Sequence, residues 1–169
     1  MKRIVFVALL STLLTGCFGS NRPMFPLESG VRALEPGRYA MFEIYGPGAK
    51  PSEFMDVRQR GNIYEFVNEK GAVNPVTFHP IARGRHVAQV NVAEKGTDKK
   101  GYGYAIFEIN GREVSVYIAE CGKQDQAMLK AARVDIRDKY ECYIDNVADP
   151  AAFFANLKHN DKPARMVRQ

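Results

Sequence analysis

Hydrophobic and polar residues alternate with a period of two along most of the chain after Gly37. This alternation is typical of strands that bury one face, and here it occurs in short runs separated by turn residues. The clearest turn is Asn110-Gly111, because Asn-Gly between two alternating runs is a strong hairpin signal. The predicted strands cover residues 38–45, 53–60, 63–68, 73–81, 86–92, 102–109 and 112–121.

About seven strands at this spacing predict a mainly β (α+β) fold, an antiparallel meander that forms a barrel or a sandwich. Phe42, Phe54, Phe66 and Phe78 recur every 12 residues. The period is too short for a solenoid repeat. We therefore predict that each of these strands gives one large residue to a shared core.

The C-terminal third has helical patterns in two places. Residues 124–132 are good helix formers. Asp149-Pro150 is a favoured helix start, with Asp as the N-cap and Pro at the first helical position. We expect the apolar stripe of this second helix to cover one end of the sheet, and residues 140–144 to form a short strand between the helices.

The predicted domain spans residues 37–160, with a less regular segment on each side. Prolines and glycines in residues 17–36 predict a tether. Three apolar residues leave open that this stretch docks on the domain: Phe25, Leu27 and Val31. The polar residues after His159 predict a flexible tail at 161–169.

The N-terminus combines a positive start, an apolar run and a cysteine. Lys2 and Arg3 precede the run Ile4–Leu14, which is too short for the roughly 20 residues of a membrane-spanning helix. Such a segment is typical of an export signal. Its ending, Leu14-Thr15-Gly16-Cys17, resembles the lipobox of bacterial lipoprotein precursors, in which the cysteine is diacylated and becomes the first residue of the mature protein.

The resemblance implies that residues 1–16 are a signal peptide and that acylated Cys17 anchors the protein in a membrane. Phe18 follows the cysteine where an Asp would favour retention in the inner membrane. In a diderm host this implies the periplasmic face of the outer membrane. The resemblance covers residues 1–17 and carries no information about the rest of the domain.

Removal of the signal changes the charge and cysteine counts. The remaining 153 residues make one ordinary domain, and losing Lys2 and Arg3 lowers the formal net charge from +5 to +3. This charge is too small for a typical nucleic-acid binder, so we exclude that class. With Cys17 acylated, Cys121 and Cys142 remain as an even pair, and we predict a structural disulfide between them.

Motifs for catalysis or metal binding are missing from the sequence. It contains no Gly-x-Ser-x-Gly, no His-Glu-x-x-His and no phosphate-binding loop. His79 and His86 flank a predicted turn, but two histidines without a third ligand make a poor zinc site, so we expect no metal and no cofactor. A locally basic set is either ordinary solvated charge or a partner-binding patch. It comprises Arg83, Arg85, His86, Lys99, Lys100 and Arg112.

These features favour a lipid-anchored, non-enzymatic binding module of the cell envelope. Its ligand would be an envelope protein, a glycan or a lipid. Two other functions stay open. A lipocalin-like carrier of a small apolar molecule needs a cavity inside the barrel. An envelope hydrolase needs two dispersed carboxylates about 5–9 Å apart in a cleft.

Overall fold

The computed structural model describes residues 18–43, 46–93, 100–137, 141–160 and 162–169. Within them, the strands are β1 (Phe18–Ser20), β2 (Gly37–Phe42), β3 (Glu53–Arg60), β4 (Ile63–Asn68), β5 (Val73–Ala82), β6 (Arg85–Ala93), β7 (Lys100–Asn110), β8 (Glu113–Tyr117), β9 (Asp135–Ile136), β10 (Cys142–Tyr143) and β11 (Ala164–Arg168). The helices are α1 (Gln126–Ala131) and α2 (Pro150–Ala155), with single 3-10 turns at Leu27–Ser29 and Cys121–Lys123.

Eight of these strands close into an antiparallel barrel. Strands β2 to β8 pair in sequence as a meander, and β11 pairs with both β8 and β2 to complete the ring. The predicted hairpin joins β7 to β8, but its two turn residues are Gly111 and Arg112, because Asn110 pairs with Glu113 at the end of the ladder. Gly111, at the first turn position, has a positive φ of 61°. The mainly β prediction is confirmed, and the sheet is a barrel rather than a sandwich.

The C-terminal residues correct the prediction of a flexible tail at 161–169. Residues 164–168 form β11, in which Met166 pairs with Met41 on one side and with Val114 on the other. Met166 is 1% exposed. Local patterning does not predict this strand, because its hydrogen-bond partners, β2 and β8, come from distant parts of the chain.

Side chains fill the barrel interior. Phe78 is fully buried, and its ring centroid lies 5.2 Å from that of Tyr64 and 5.1 Å from that of Phe107. Leu34, in the segment before β2, belongs to the same cluster of buried residues. The other members are Tyr39, Met41, Met55, Val57, Phe66, Val76, Ala88, Val90, Ala105, Val114, Val116 and Met166. The barrel therefore encloses a packed core, the barrel core.

The series of phenylalanines divides between the two faces of the sheet, contrary to the prediction that all four share one core. Phe66 and Phe78 lie in the barrel core, whereas Phe42 and Phe54 are half-buried on the outer face. Side chains alternate between faces along one strand, but each turn resets that alternation. A constant spacing of 12 residues across several turns therefore does not keep a residue on one face.

A second core lies outside the barrel, against the outer faces of β5, β6 and β7. Its buried members come from the chain segments that flank the barrel and from β6 and β7. They are Phe18, Phe25, Val87, Tyr104, Ala119, Cys121, Leu129, Val134, Cys142, Ile144, Val147, Phe153, Phe154 and Leu157. We call this set the outer core.

Both predicted helices are present, and both help to build the outer core. The side chain of Asp125 caps α1, and that of Asp149 caps α2 by accepting a bond from the Ala152 N–H at 2.9 Å. The predicted position of α2 at one end of the sheet is wrong. The helix packs instead against the outer face of the barrel, where Phe154 lies 5.1 Å from Tyr104 between ring centroids.

Strands β1, β10 and β9 extend the sheet beyond β7. Gly19 pairs with Gly103 of β7, and Phe18 pairs with Cys142 of β10 in parallel. Phe25 is buried, whereas Leu27 is 44% exposed. The described part of the predicted tether, residues 18–36, therefore packs on the domain. Local patterning misses this because the docked segment has little regular structure of its own.

Candidate functional site

The predicted disulfide between Cys121 and Cys142 is confirmed. The two Cα atoms are 5.9 Å apart, and both residues are fully buried. The bond joins the 3-10 turn that follows β8 to strand β10. Because β10 pairs directly with β1, the disulfide also braces the strand that begins next to Cys17.

The structure divides the predicted basic patch between two ends of the barrel. The turns that carry Arg83 and Arg112 are neighbours, since the Ile109 N–H donates to the Gly84 carbonyl at 2.9 Å. Lys100 starts β7 at the opposite end of the β6–β7 ladder from Arg85. Lys99 lies outside the described residues. The patch is therefore not one continuous surface.

Acidic residues are interspersed with the arginines that remain together. In the β6–β7 ladder Arg85 is paired with Glu108. Glu113 follows Arg112 directly in the chain, and the Arg112 guanidinium donates to the Arg168 carbonyl at 2.9 Å. The charges at this end of the barrel are mixed in sign, which favours an ordinary solvated surface over an anion site.

The two histidines near the β5–β6 turn lie on opposite faces of the sheet. His79 pairs with Val87 in the ladder, while His86 pairs with Pro80. His79 is therefore on the outer face, and His86 points the other way, where burial lowers its pKa. The two rings cannot share a metal or a proton.

His79 instead belongs to a buried polar network beneath the N-terminal segment. Its Nε2 lies 3.0 Å from the Thr77 hydroxyl and its Nδ1 lies 3.3 Å from the Ser29 hydroxyl. The ring of Phe25 stacks on it at 4.5 Å. Burial lowers the pKa of His79 to about 4, so the ring is neutral at pH 7.

This contact between serine and histidine lacks the arrangement of a nucleophile and its base. The Ser29 hydroxyl donates to the Pro26 carbonyl at 2.8 Å, so its proton is not directed at His79. A hydroxyl, Thr77, rather than a carboxylate meets the far nitrogen of the ring. A triad places a carboxylate there to stabilise the imidazolium. The network of Ser29, Thr77 and His79 therefore has a structural role: it fastens the N-terminal segment to the barrel, and we call it the clasp.

Gln89 and Tyr104 continue this clasp. The Gln89 side-chain oxygen accepts from the N–H groups of Met24 and Phe25 at 2.9 and 3.0 Å, and its amide donates to the Phe25 carbonyl. The hydroxyls of Tyr104 and Ser20 are 2.6 Å apart. Burial raises the pKa of Tyr104 to about 12. These bonds satisfy backbone groups of a segment that has almost no ladder partners.

Glu53 and Glu69 are close enough for their charges to interact. Burial and then the Glu69 charge raise the pKa of Glu53, while Lys70 opposes them. Glu69 also pairs with Arg38 at 3.9 Å. A cavity of about 330 Å³ is lined by Glu69 and Asp56 but not by Glu53. This cavity therefore carries two carboxylates, and a hydrolase stays open as an alternative function.

The outer surface of β2, β3 and β4 is partly exposed and combines apolar and aromatic side chains with arginines and the carboxylates Asp56 and Glu65. The Arg38 guanidinium lies 4.9 Å from the centroid of the Phe54 ring, and both residues line the 330 Å³ cavity. We call this surface the free face. Its defining residues are Arg38, Phe54, Arg58, Ile63 and Val67.

The free face lies on the opposite side of the barrel from the added strands. In the ring of eight strands, β3 stands across from β7, to which β1, β10 and β9 are attached. Sequence reasoning missed this surface because it assigned Phe54 to the core. The sequence signal for this surface is that Phe54 and Met55 are neighbours in one strand, so their side chains point to opposite faces of the sheet.

Among the described residues, no helix has the length and hydropathy to cross a membrane. The same part of the chain holds no group of three His, Cys, Asp or Glu residues that could bind a metal ion. The fold and surface thus define a closed eight-stranded barrel with a packed interior, an outer core on one side and a free face on the other. A scan against family models, a search of curated proteins and a search of solved structures each gave no match.

Proposed function

We propose that this protein is a lipid-anchored binding module of the cell envelope, which holds a protein partner on its free face. The observation that carries the proposal is the division of the barrel's outer surface. The outer core covers β5 to β7, whereas β2 to β4 expose Arg38 and Arg58 beside a half-buried Phe54. Arginine and aromatic residues are enriched at the centres of protein interfaces.

The packed barrel favours this function over a carrier. A carrier of a small apolar molecule needs space among the inward side chains, and here those positions hold the barrel core. The cavity of about 330 Å³ lies on the free face instead and is lined by Arg38, Phe54 and Val67 together with the carboxylates Asp56 and Glu69. Its size suits a side chain inserted by a partner.

The anchor is proposed from the sequence alone. Leu14-Thr15-Gly16-Cys17 supports acylation of Cys17, and Phe18 after the cysteine supports the periplasmic face of the outer membrane in a diderm host. Each buried methylene contributes about 0.8 kcal/mol, and stable anchoring needs more than one chain. Two or more acyl chains would therefore hold the domain without help from its surface charge.

Photo-crosslinking in intact cells tests the partner face. A benzophenone amino acid replaces Phe54 or Arg58 on the free face, or Ala127 on the exposed side of α1 as a control. We expect one discrete crosslinked protein from both free-face positions and none from the control. Crosslinking from the control alone would contradict the proposal, as would the absence of product at both free-face positions.

Flotation of membranes tests the anchor. Cys17→Ser removes the acylated thiol, so we expect the variant to stay at the bottom of a density gradient while the parent protein floats. Mass spectrometry of the parent should show acyl chains on Cys17. A Cys17→Ser variant that still floats would contradict lipid anchoring.

A further inference from the structure

The domain begins one residue after the proposed anchor. Phe18 is 2% exposed and already belongs to β1. Consecutive Cα atoms are about 3.8 Å apart, so the Cα of Cys17 lies within this distance of a residue fixed in the sheet. A lipoprotein with a tether would leave many residues between these two points.

The following residues are held too firmly to act as a spacer. The Asn21 backbone and side-chain N–H groups donate to the Asp145 carboxylate at 2.8 and 2.6 Å, and Arg22 donates to the Asp145 carbonyl at 2.7 Å. Beyond them, Gln89 binds the backbone of Phe25. If residues 18–25 served as a spacer, these bonds would break and Phe18 would leave the outer core.

The strand register shows which part of the surface lies beside the anchor. Phe18 pairs with Cys142, and Cys142 pairs with Ile136, so the three residues form one row across β1, β10 and β9. Neighbouring strands lie about 4.8 Å apart, which puts the Cα of Ile136 roughly 10 Å from that of Phe18. Ile136 is 39% exposed.

The chemistry of the β9–β10 hairpin suits the interface between lipid and water. The Arg137 guanidinium lies 3.5 Å from the centroid of the Tyr143 ring. Tyrosine and arginine both place an apolar part against hydrocarbon and a polar end in the headgroup layer. Asp135 and Glu141 pair with Arg137 at 3.6 and 3.9 Å, so these three residues carry a net charge of −1.

We infer that the sheet edge formed by β9 and β10, with Ile136 on one face and Arg137 and Tyr143 on the other, rests on the lipid surface in which Cys17 is anchored. This inference rests on the proposed lipid anchor. The missing spacer fixes the orientation of the barrel, so that β7 faces the membrane and β3 faces away from it. The free face is thereby turned toward the aqueous compartment, where a protein partner can reach it.

The test uses the full-length, lipidated protein in vesicles of phosphatidylethanolamine and phosphatidylglycerol that contain a lipid-borne fluorescence quencher. Ile136→Cys carries a fluorophore on the hairpin, and Arg58→Cys carries it on the free face as a matched exposed control. We expect the Ile136 probe to lose most of its fluorescence and the Arg58 probe to lose little. Because Asp135, Arg137 and Glu141 together carry a net negative charge, attraction to anionic lipid does not hold this contact, and the quenching should persist at high salt.

A second variant separates contact from anchoring. Inserting about ten Gly and Ser residues between Cys17 and Phe18 adds a flexible span of roughly 17 Å. We expect this variant to float with membranes and to show much weaker quenching at Ile136. Flotation without quenching at Ile136 in the parent protein would overturn the membrane contact alone. Failure of the parent to float would overturn the anchor and the contact together.

Discussion

The barrel core and the outer core lie on opposite faces of β5 to β7 but are built differently. Neighbouring hairpins form the barrel core, which consists of hydrophobic side chains. The outer core joins segments from the two ends of the chain and contains a disulfide and buried polar side chains, including His79 and Gln89. One core is formed by local pairing and the other by distant contacts.

This difference shows how an irregular segment is fixed on a sheet. Apolar contacts alone give little directional preference, whereas a buried amide must find its partners. Gln89 meets this requirement by binding the backbone of Met24 and Phe25. The polar network therefore sets where the N-terminal segment docks, and the surrounding rings supply the burial.

The largest expected effect comes from removing a ring in the barrel core. Phe78→Ala should destabilise the fold by about 4 kcal/mol, because it leaves a cavity among side chains that cannot collapse. Phe154→Ala in the outer core should cost less, since the covering segments can relax around it. Urea denaturation of both variants measures the difference. A greater loss of unfolding free energy for Phe154→Ala than for Phe78→Ala would contradict the expectation that the barrel core contributes more to stability.

Removing the disulfide should have the next largest effect. Replacing Cys121 and Cys142 together with Ser frees a loop whose closure contributes roughly 3 kcal/mol in the chain-entropy model. Hydrogen exchange should then rise most in β1, β9 and β10 and least in β3 to β5. An equal rise in all strands would mean that both cores open as one cooperative unit.

A smaller effect is expected from acid, and it should arise in the outer core. His79 has a pKa of about 4 in the folded protein and about 6.5 when unfolded, so the unfolded state binds more protons between these values. Stability should therefore fall as pH drops from 6.5 toward 4, by at most about 3 kcal/mol from this residue.

Two variants isolate this contribution from that of the carboxylates. His79→Gln should reduce the pH dependence of the free energy of unfolding between pH 4 and 6.5, and the remaining slope includes His86, whose pKa burial also lowers. His159→Gln, which replaces a half-buried ring beside Tyr117, serves as the control for the loss of a histidine. Identical slopes for all three proteins would show that His79 gains a proton without opening the outer core.

The candidate site was less predictable than the fold. Cys121 and Cys142 could be paired from cysteine count and compartment, and the structure confirms the bond. The basic patch failed as a continuous surface, because Arg85 and Lys100 stand at opposite ends of one ladder. The free face was not anticipated, since deciding whether Phe54 points outward requires the strand register.

The sequence by itself determined the mainly β class, most hairpins, the helical region at 124–132, the helix start at Asp149 and the disulfide pair. These features depend on neighbouring residues or on a count, so they can be read locally. Only the tertiary structure decided that β11 closes the barrel, that Phe18 and Phe25 dock on it and that Phe42 points outward. Each of those outcomes depends on hydrogen bonds or burial shared with residues distant in the chain. Local alternation of hydrophobic and polar residues does not specify such distant contacts.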